Sequence, residues 1–223
     1  EAAYLALIPE NFHEGLQRLF KDLARERQQE QKKLAAELKS PEYRSKISLF
    51  ESHLALCPKT PTKKGHKPVL KIAARQIISR YNAIAMDALE ITDTSPDEQV
   101  HEVRLGCKKL RYLLEFFADL FPKKQIRPLI KALKKLQDNL GAFNDLSVQR
   151  ERLEQYLQHN KVAPDTQAAV HALNGVLFNR QRVERSYIRA QLANFLDDNV
   201  RQSVESLIPK AITTETKTGR LSE

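Results

Sequence analysis

Along residues 101–121, HEVRLGCKKLRYLLEFFADLF, polar and apolar positions separate with a helical period. His101, Arg104, Lys108, Arg111 and Glu115 recur at i, i+3, i+7, i+10 and i+14, which is one narrow stripe of a helix. Val103, Leu110, Leu114, Phe117 and Phe121 fall on the opposite side. Such a helix buries one side and turns a His/Arg/Lys row outward, with Glu115 one turn beyond Arg111 as the acid within the row. Ser95-Pro96-Asp97-Glu98 predicts its start, with Ser95 as N-cap, Pro96 at N1 and Glu98 completing a capping box. Phe121-Pro122 predicts its end.

The same periodicity organises the rest of the chain. Residues 1–9 read as the tail of an incoming segment. Phe12, Leu16, Leu19, Phe20, Leu23, Leu34 and Leu38 predict a helix from Asn11 to about Leu38. Ser40-Pro41 caps a second, running to about Leu56 with Tyr43, Ile47, Phe50 and Leu54. The stretch CPKTPTKKGHKP at 57–68 reads as a linker, with 59–67 as the boundary between residues 1–58 and a second bundle at 68–210. A third helix is expected over about Pro68 to Leu89. Another covers Ile126 to Leu140, with Pro128 as its first turn or a kink and Gly141 as its C-terminal stop. Its Lys131, Lys134, Lys135 and Asp138 share one face, opposite Leu129, Leu133, Leu136 and Leu140. Asn144-Asp145 is expected to cap a further helix to His159, and a turn at 160–164 leads to a long one over about Asp165 to Asn194. In that helix Arg182, Arg185 and Arg189 recur at i, i+3 and i+7. A last short helix ends near Pro209, and 211–223 is a polar tail. No β-alternation is present, so the fold class is all-α.

Composition narrows the class without naming a function. Hydrophobic content of 41% and charge of 29% are those of a folded soluble chain, expected to be cytoplasmic since no signal or membrane-spanning pattern occurs. Cys57 and Cys107 show no metal-ligand spacing and read as thiols. The first residue is Glu rather than Met, so a segment ahead of it is expected. The net charge of +9 is unevenly placed. Residues 1–58 hold nine basic and nine acidic groups, and 136–223 hold eleven of each. The excess comes from 59–81, with seven Lys/Arg and no acid, and from 101–135, with ten bases against three acids. These two basic blocks are divided by 82–100, with five acids and no base, and the clustering predicts an anion-binding surface.

Two helices that are apolar on one side and cationic on the other, joined by a short turn, are expected to pack so that their basic rows line one groove. Arg suits forked recognition of phosphate oxygens, and steps of one helical turn suit a repeating polyanion. No phosphate loop, HExxH, EF-hand, nucleophile elbow or zinc spacing occurs, and no cofactor is expected. His101 has three readings: a hydrogen-bonding imidazole for an anion or a neighbour, a packing residue, or a catalytic or metal-binding one. Tyr112 adjoins the row, either bonding an oxygen or packing. Aromatic residues are scarce among the cations, which disfavours nucleic acid as the partner.

The residues at 101–121, followed by LIKALKKLQDNLGAFNDL at 129–146, resemble the second-half signature of the CHAD family, the histidine α-helical domain often found beside a triphosphate-hydrolysing CYTH domain. The matching positions are His101, Arg104, Lys108, Arg111 and Tyr112, then LQ at 136–137, LG at 140–141 and ND at 144–145. RERQQEQKKL and SPEYRSKISLFESHL are similar to helices of the family's first repeat. The resemblance implies two pseudo-symmetric four-helix bundles around a basic central groove that binds inorganic polyphosphate. It implies His101, Arg104, Lys108, Arg111 and Tyr112 as ligand-facing residues, with Lys131, Lys134 and Lys135 on the next helix and Arg75 and Arg80 on the flanking one. The family's first His/Arg-rich helix pair has no counterpart before residue 11, so the first bundle is expected to be truncated, its apolar face covered by another chain or a fused domain.

The reading is therefore a non-enzymatic polyphosphate binder, with polyphosphate granules as a further partner and no membrane. The alternatives are a phosphohydrolase acting on polyphosphate or a nucleotide through His101, and a helical nucleic-acid-binding protein.

Overall fold

The computed structural model describes residues 2–56 and 63–207, with side chains from 69 onward in the second stretch. α1 spans Ala2–Leu5, α2 His13–Leu38, α3 Pro41–Ala55, α4 Lys63–Glu90, α5 Asp97–Phe116, α6 Lys123–His159, α7 Pro164–Phe195 and α8 Asp198–Glu205. Short 3-10 turns occupy Glu10–Phe12 and Ala118–Leu120. No strand occurs among the described residues, and the chain is all-α. None of the described helices is long and apolar enough to cross a membrane.

Several helix boundaries differ from those the pattern predicts, and each has a local cause. α4 and α6 start at Lys63 and Lys123, ahead of the prolines expected to begin them. Pro68 and Pro128 are each the sixth residue of their helix, so each removes one hydrogen bond, to the carbonyl of Lys64 or Lys124. That loss falls in the first turns, where it costs the helix least. α4 thus begins inside the expected 59–67 linker. Residues 59–62, the expected helix end near Pro209 and the expected tail at 211–223 lie outside the described residues.

α6 also runs straight through Gly141, expected to end it, and through Asn144-Asp145, expected to start the next helix. An interior glycine costs roughly 1 kcal/mol against alanine. The buried stripe Leu129, Leu133, Leu136, Leu140 and Phe143 continues across it without a break in period, and burial of these side chains outweighs that cost. Ser95 does not cap α5. Its Oγ accepts from the Thr92 N–H at 3.0 Å in the preceding turn, and α5 begins at Asp97 with no side-chain cap bond.

The chain forms two compact units. Glu1–Pro61 with Arg150–Leu177 is the first, and Thr62–Gln149 with Phe178–Glu223 is the second. The 150–177 segment, assigned from sequence to the second bundle, groups with the first unit, because α6 and α7 each contribute to both.

In the first unit, Ile8, Leu16, Leu19, Leu153, Tyr156, Ala169, Val170 and Leu173 are buried. Tyr156 donates to Asp22 Oδ2 at 2.8 Å, and burial with that carboxylate pushes its phenol up to about 12. Ser40 caps α3 as predicted, its Oγ accepting from the Tyr43 N–H at 3.1 Å. Yet α3 buries none of its residues, and Tyr43, Ile47, Phe50 and Leu54 remain on its exposed surface.

The second unit holds one contiguous core from α4, α5, the first part of α6, the last part of α7 and α8. Ile77, Ile84, Leu110, Leu114, Leu133, Leu136, Leu140 and Ile188 are its most enclosed aliphatics. Tyr81 packs edge-on against Phe195 at 5.5 Å. Cys107 is a free, buried thiol, pushed up to about 12 by desolvation. Cys57, the other expected thiol, lies outside the described residues. All ten candidate ligand residues belong to this unit.

Candidate functional site

α5 and α6 fix each other's register through two polar contacts. His101 Nδ1 lies 2.5 Å from Asn144 Oδ1, and Arg111 Nη1 donates to Gln137 Oε1 at 3.4 Å. As α5 ascends from 101 to 111, α6 descends from 144 to 137, so the helices run antiparallel. The amide oxygen can only accept, so Nδ1 carries the imidazole proton and Nε2 is left for another partner. On α6 the facing stripe is Lys134, Gln137, Gly141 and Asn144, at i, i+3, i+7 and i+10.

Gly141 lies between the two contacts along α6. Among the described residues, a side chain built there would meet nothing within 4 Å. Among these residues, neither packing nor backbone conformation demands this glycine.

The members of the α5 row differ in their surroundings. Arg104 is half-buried and Lys108 exposed, and neither has an acidic partner among the described residues. Lys108 Nζ lies 5.8 Å from the centroid of the Tyr112 ring, a weak cation–π contact at this exposure. Arg111 is engaged within its own helix: Nε donates to Glu115 Oε1 at 2.6 Å, and this bond raises the guanidinium above its ordinary value.

One turn before His101, Asp97 anchors the helix. Its carboxylate accepts from Ser147 Oγ at 2.8 Å and from Gln181 Nε2 at 2.5 Å, and pairs with Arg185. Arg185 also donates to the Ser95 carbonyl at 2.6 Å and lies over the Phe143 ring at 4.8 Å. Its side chain is only 17% exposed. The Arg row expected on α7 is therefore split. Arg185 turns inward to hold α5, whereas Arg182 and Arg189 are exposed.

The remaining candidates open onto two separate clefts. Arg80 and Tyr112 line one of ≈ 740 Å³ between α4 and α5, together with Gln76, Lys109, Leu113, Glu115 and Phe116. Lys131 and Lys135 line another of ≈ 510 Å³ with Gln191, Asn194, Phe195 and Asp197. Lys134 is exposed on the α6 stripe that meets α5, and Arg75 is exposed on α4. So the structure ties His101 and Arg111 to the α6 stripe, with Arg104 and Lys108 between them in the α5 row. It turns Lys131 and Lys135 toward α7 and α8 instead.

Gln137, Gly141 and Asn144 were missed as site residues, although they recur at i, i+4 and i+7 within the quoted motif. Their spacing was the available signal. Among the described residues no group of three His, Cys, Asp or Glu is arranged to hold a metal ion.

Comparison with known families matches residues 2–154 to the CHAD domain. No curated protein matches the chain. The match takes in α5, the α6 stripe facing it and the signature residues from His101 to Asn144, and the chain belongs to the CHAD domain family.

Proposed function

We propose that this protein binds inorganic polyphosphate, without turning it over, along the seam between the α5 row and the α6 stripe. The observation that carries the reading is Arg104 with Lys108: two cations one turn apart, with no acid to neutralise either among the described residues. Each helical turn advances about 5.4 Å, so the row offers donors in sequence to a chain of phosphates rather than one pocket to a single anion. Binding is by charge-assisted hydrogen bonds, which are roughly twice as strong as neutral ones. His101 Nε2 faces the ligand while Asn144 holds Nδ1. Lys134 extends the seam.

The non-enzymatic part of the reading is supported by the partner of His101. An amide orients the ring but lacks the negative charge with which a carboxylate stabilises an imidazolium. The setting this reading takes is the cytoplasm.

Titration with long-chain polyphosphate, with single-stranded DNA and orthophosphate as competitors, tests it. Affinity should fall steeply as salt rises, and DNA at matched charge should compete poorly. Equal competition by DNA overturns the preference for polyphosphate. Phosphate release with added Mg²⁺, abolished by His101→Ala, overturns the absence of turnover.

A further inference from the structure

The α4–α5 cleft has a chemistry that a bare phosphate chain leaves unused. α4 places Gln76 and Arg80 one turn apart, and α5 places Lys109, Tyr112 and Phe116 at i, i+3 and i+7. Gly106 lets the two helices approach, since a side chain there would meet Ile84 at 3.3 Å. Phe116 is 82% exposed and Tyr112 55% exposed, so two aromatic rings stand in water at the cleft. Phe116 is braced edge-on by Phe117, with centroids 4.9 Å apart and the rings at 88°.

Arg80 is half-buried in the cleft wall and has no acidic partner among the described residues, nor does Lys109. The acid in the lining, Glu115, is already engaged by Arg111 at 2.6 Å. The volume of ≈ 740 Å³ falls within the roughly 300–1,000 Å³ of small-ligand sites.

Exposed rings beside unpaired cations call for a ligand with a flat apolar part and a negative end. Inorganic phosphate would leave Tyr112 and Phe116 wet, and a neutral aromatic would leave Arg80 and Lys109 unpaired. We propose that the α4–α5 cleft binds an organic phosphate built on a flat aromatic ring, the chemistry of a nucleotide. The ring stacks on Tyr112 and Phe116, and Arg80 and Lys109 take the phosphates. Lys108, 5.8 Å from the Tyr112 ring, adjoins the cleft at the near end of the cationic row. A longer phosphate tail therefore leaves the cleft toward that row. This site stands apart from the polyphosphate reading, because Phe116 and Lys109 lie outside the seam assigned to it.

Calorimetric titration of the intact chain with ATP, and separately with inorganic triphosphate, tests the assignment. Base–aromatic stacking corresponds to roughly a tenfold change in affinity. ATP should bind about that much more tightly than triphosphate. Phe116→Ser should abolish the difference while leaving thermal unfolding and long-chain polyphosphate binding unchanged, and Lys109→Ala should weaken ATP severalfold. Equal affinity for ATP and triphosphate, with Phe116→Ser indifferent to both, overturns it, as does an absence of ATP binding at millimolar concentration. ATP binding that depends on Phe116 upholds it even where polyphosphate does not bind.

Discussion

α3 and α5 begin alike and end up in opposite environments. Both follow a Ser-Pro-acid sequence, Ser40-Pro41-Glu42 and Ser95-Pro96-Asp97, and both carry apolar residues at helical spacing. α3 has the better local start, with Ser40 capping Tyr43, yet it buries nothing. α5 lacks a side-chain cap but buries Val100, Val103, Cys107, Leu110 and Leu114. Capping supplies about 1 kcal/mol, whereas each fully buried aliphatic side chain contributes roughly 1.5–3 kcal/mol. Tertiary burial is therefore what makes a helix a platform. Only α5 is held firmly enough to present a fixed row of cations.

Truncation within each helix gives the largest expected contrast. Leu110→Ala should destabilise the second unit by about 2–5 kcal/mol, since its side chain is enclosed on all sides. Phe50→Ala, at a residue 60% exposed, should cost less than about 1 kcal/mol despite removing more atoms. Chemical denaturation of the two variants reads both numbers. A large loss for Phe50→Ala would mean that α3 packs against something in solution.

A smaller contrast lies in the acids of the first turns. Asp97 holds Ser147, Gln181 and Arg185 at once, and its removal leaves the largely buried Arg185 without its carboxylate. Asp97→Ala should cost about 1.5–3 kcal/mol, the range for hydrogen bonds to charged groups. Among the described residues Glu42 pairs only with Lys46, at 2.7 Å with both side chains more than 70% exposed, and Glu42→Ala should change stability by no more than about 0.5 kcal/mol. Thermal unfolding of the pair checks the ratio. Similar losses would show that Asp97 does not anchor α5.

Helical periodicity made most of this architecture legible. It located the core face of α5, the Ser40 cap and the limits of α7 to within a residue or two. It failed where a local stop signal conflicted with a stripe that continued. Pro128 and Gly141 both argued for breaks in α6, but the buried stripe from Leu129 to Phe143 runs past Gly141.

For the site, periodicity identified which residues share a face of one helix but not which helix that face meets. Lys131, Lys134 and Lys135 looked equivalent, yet Lys131 and Lys135 line a cleft with α7 and α8. The small polar positions Gln137 and Asn144 are what reach the α5 row. The sequence reading gives Phe116 no role, and the two neighbouring rings, packed edge-on, differ in exposure. Phe117 is half-buried, and Phe116 stands in solvent.

Arg104 and Lys108 are proposed to bind polyphosphate while adding nothing to the stability of the fold. Calorimetric titration of the double variant Arg104→Ala/Lys108→Ala with long-chain polyphosphate, alongside its thermal unfolding, tests this most directly. Affinity should fall at least tenfold, which is about 1.4 kcal/mol, while stability stays within about 1 kcal/mol of the unsubstituted chain. Undiminished affinity, or a fold that collapses with the two cations removed, would contradict the account.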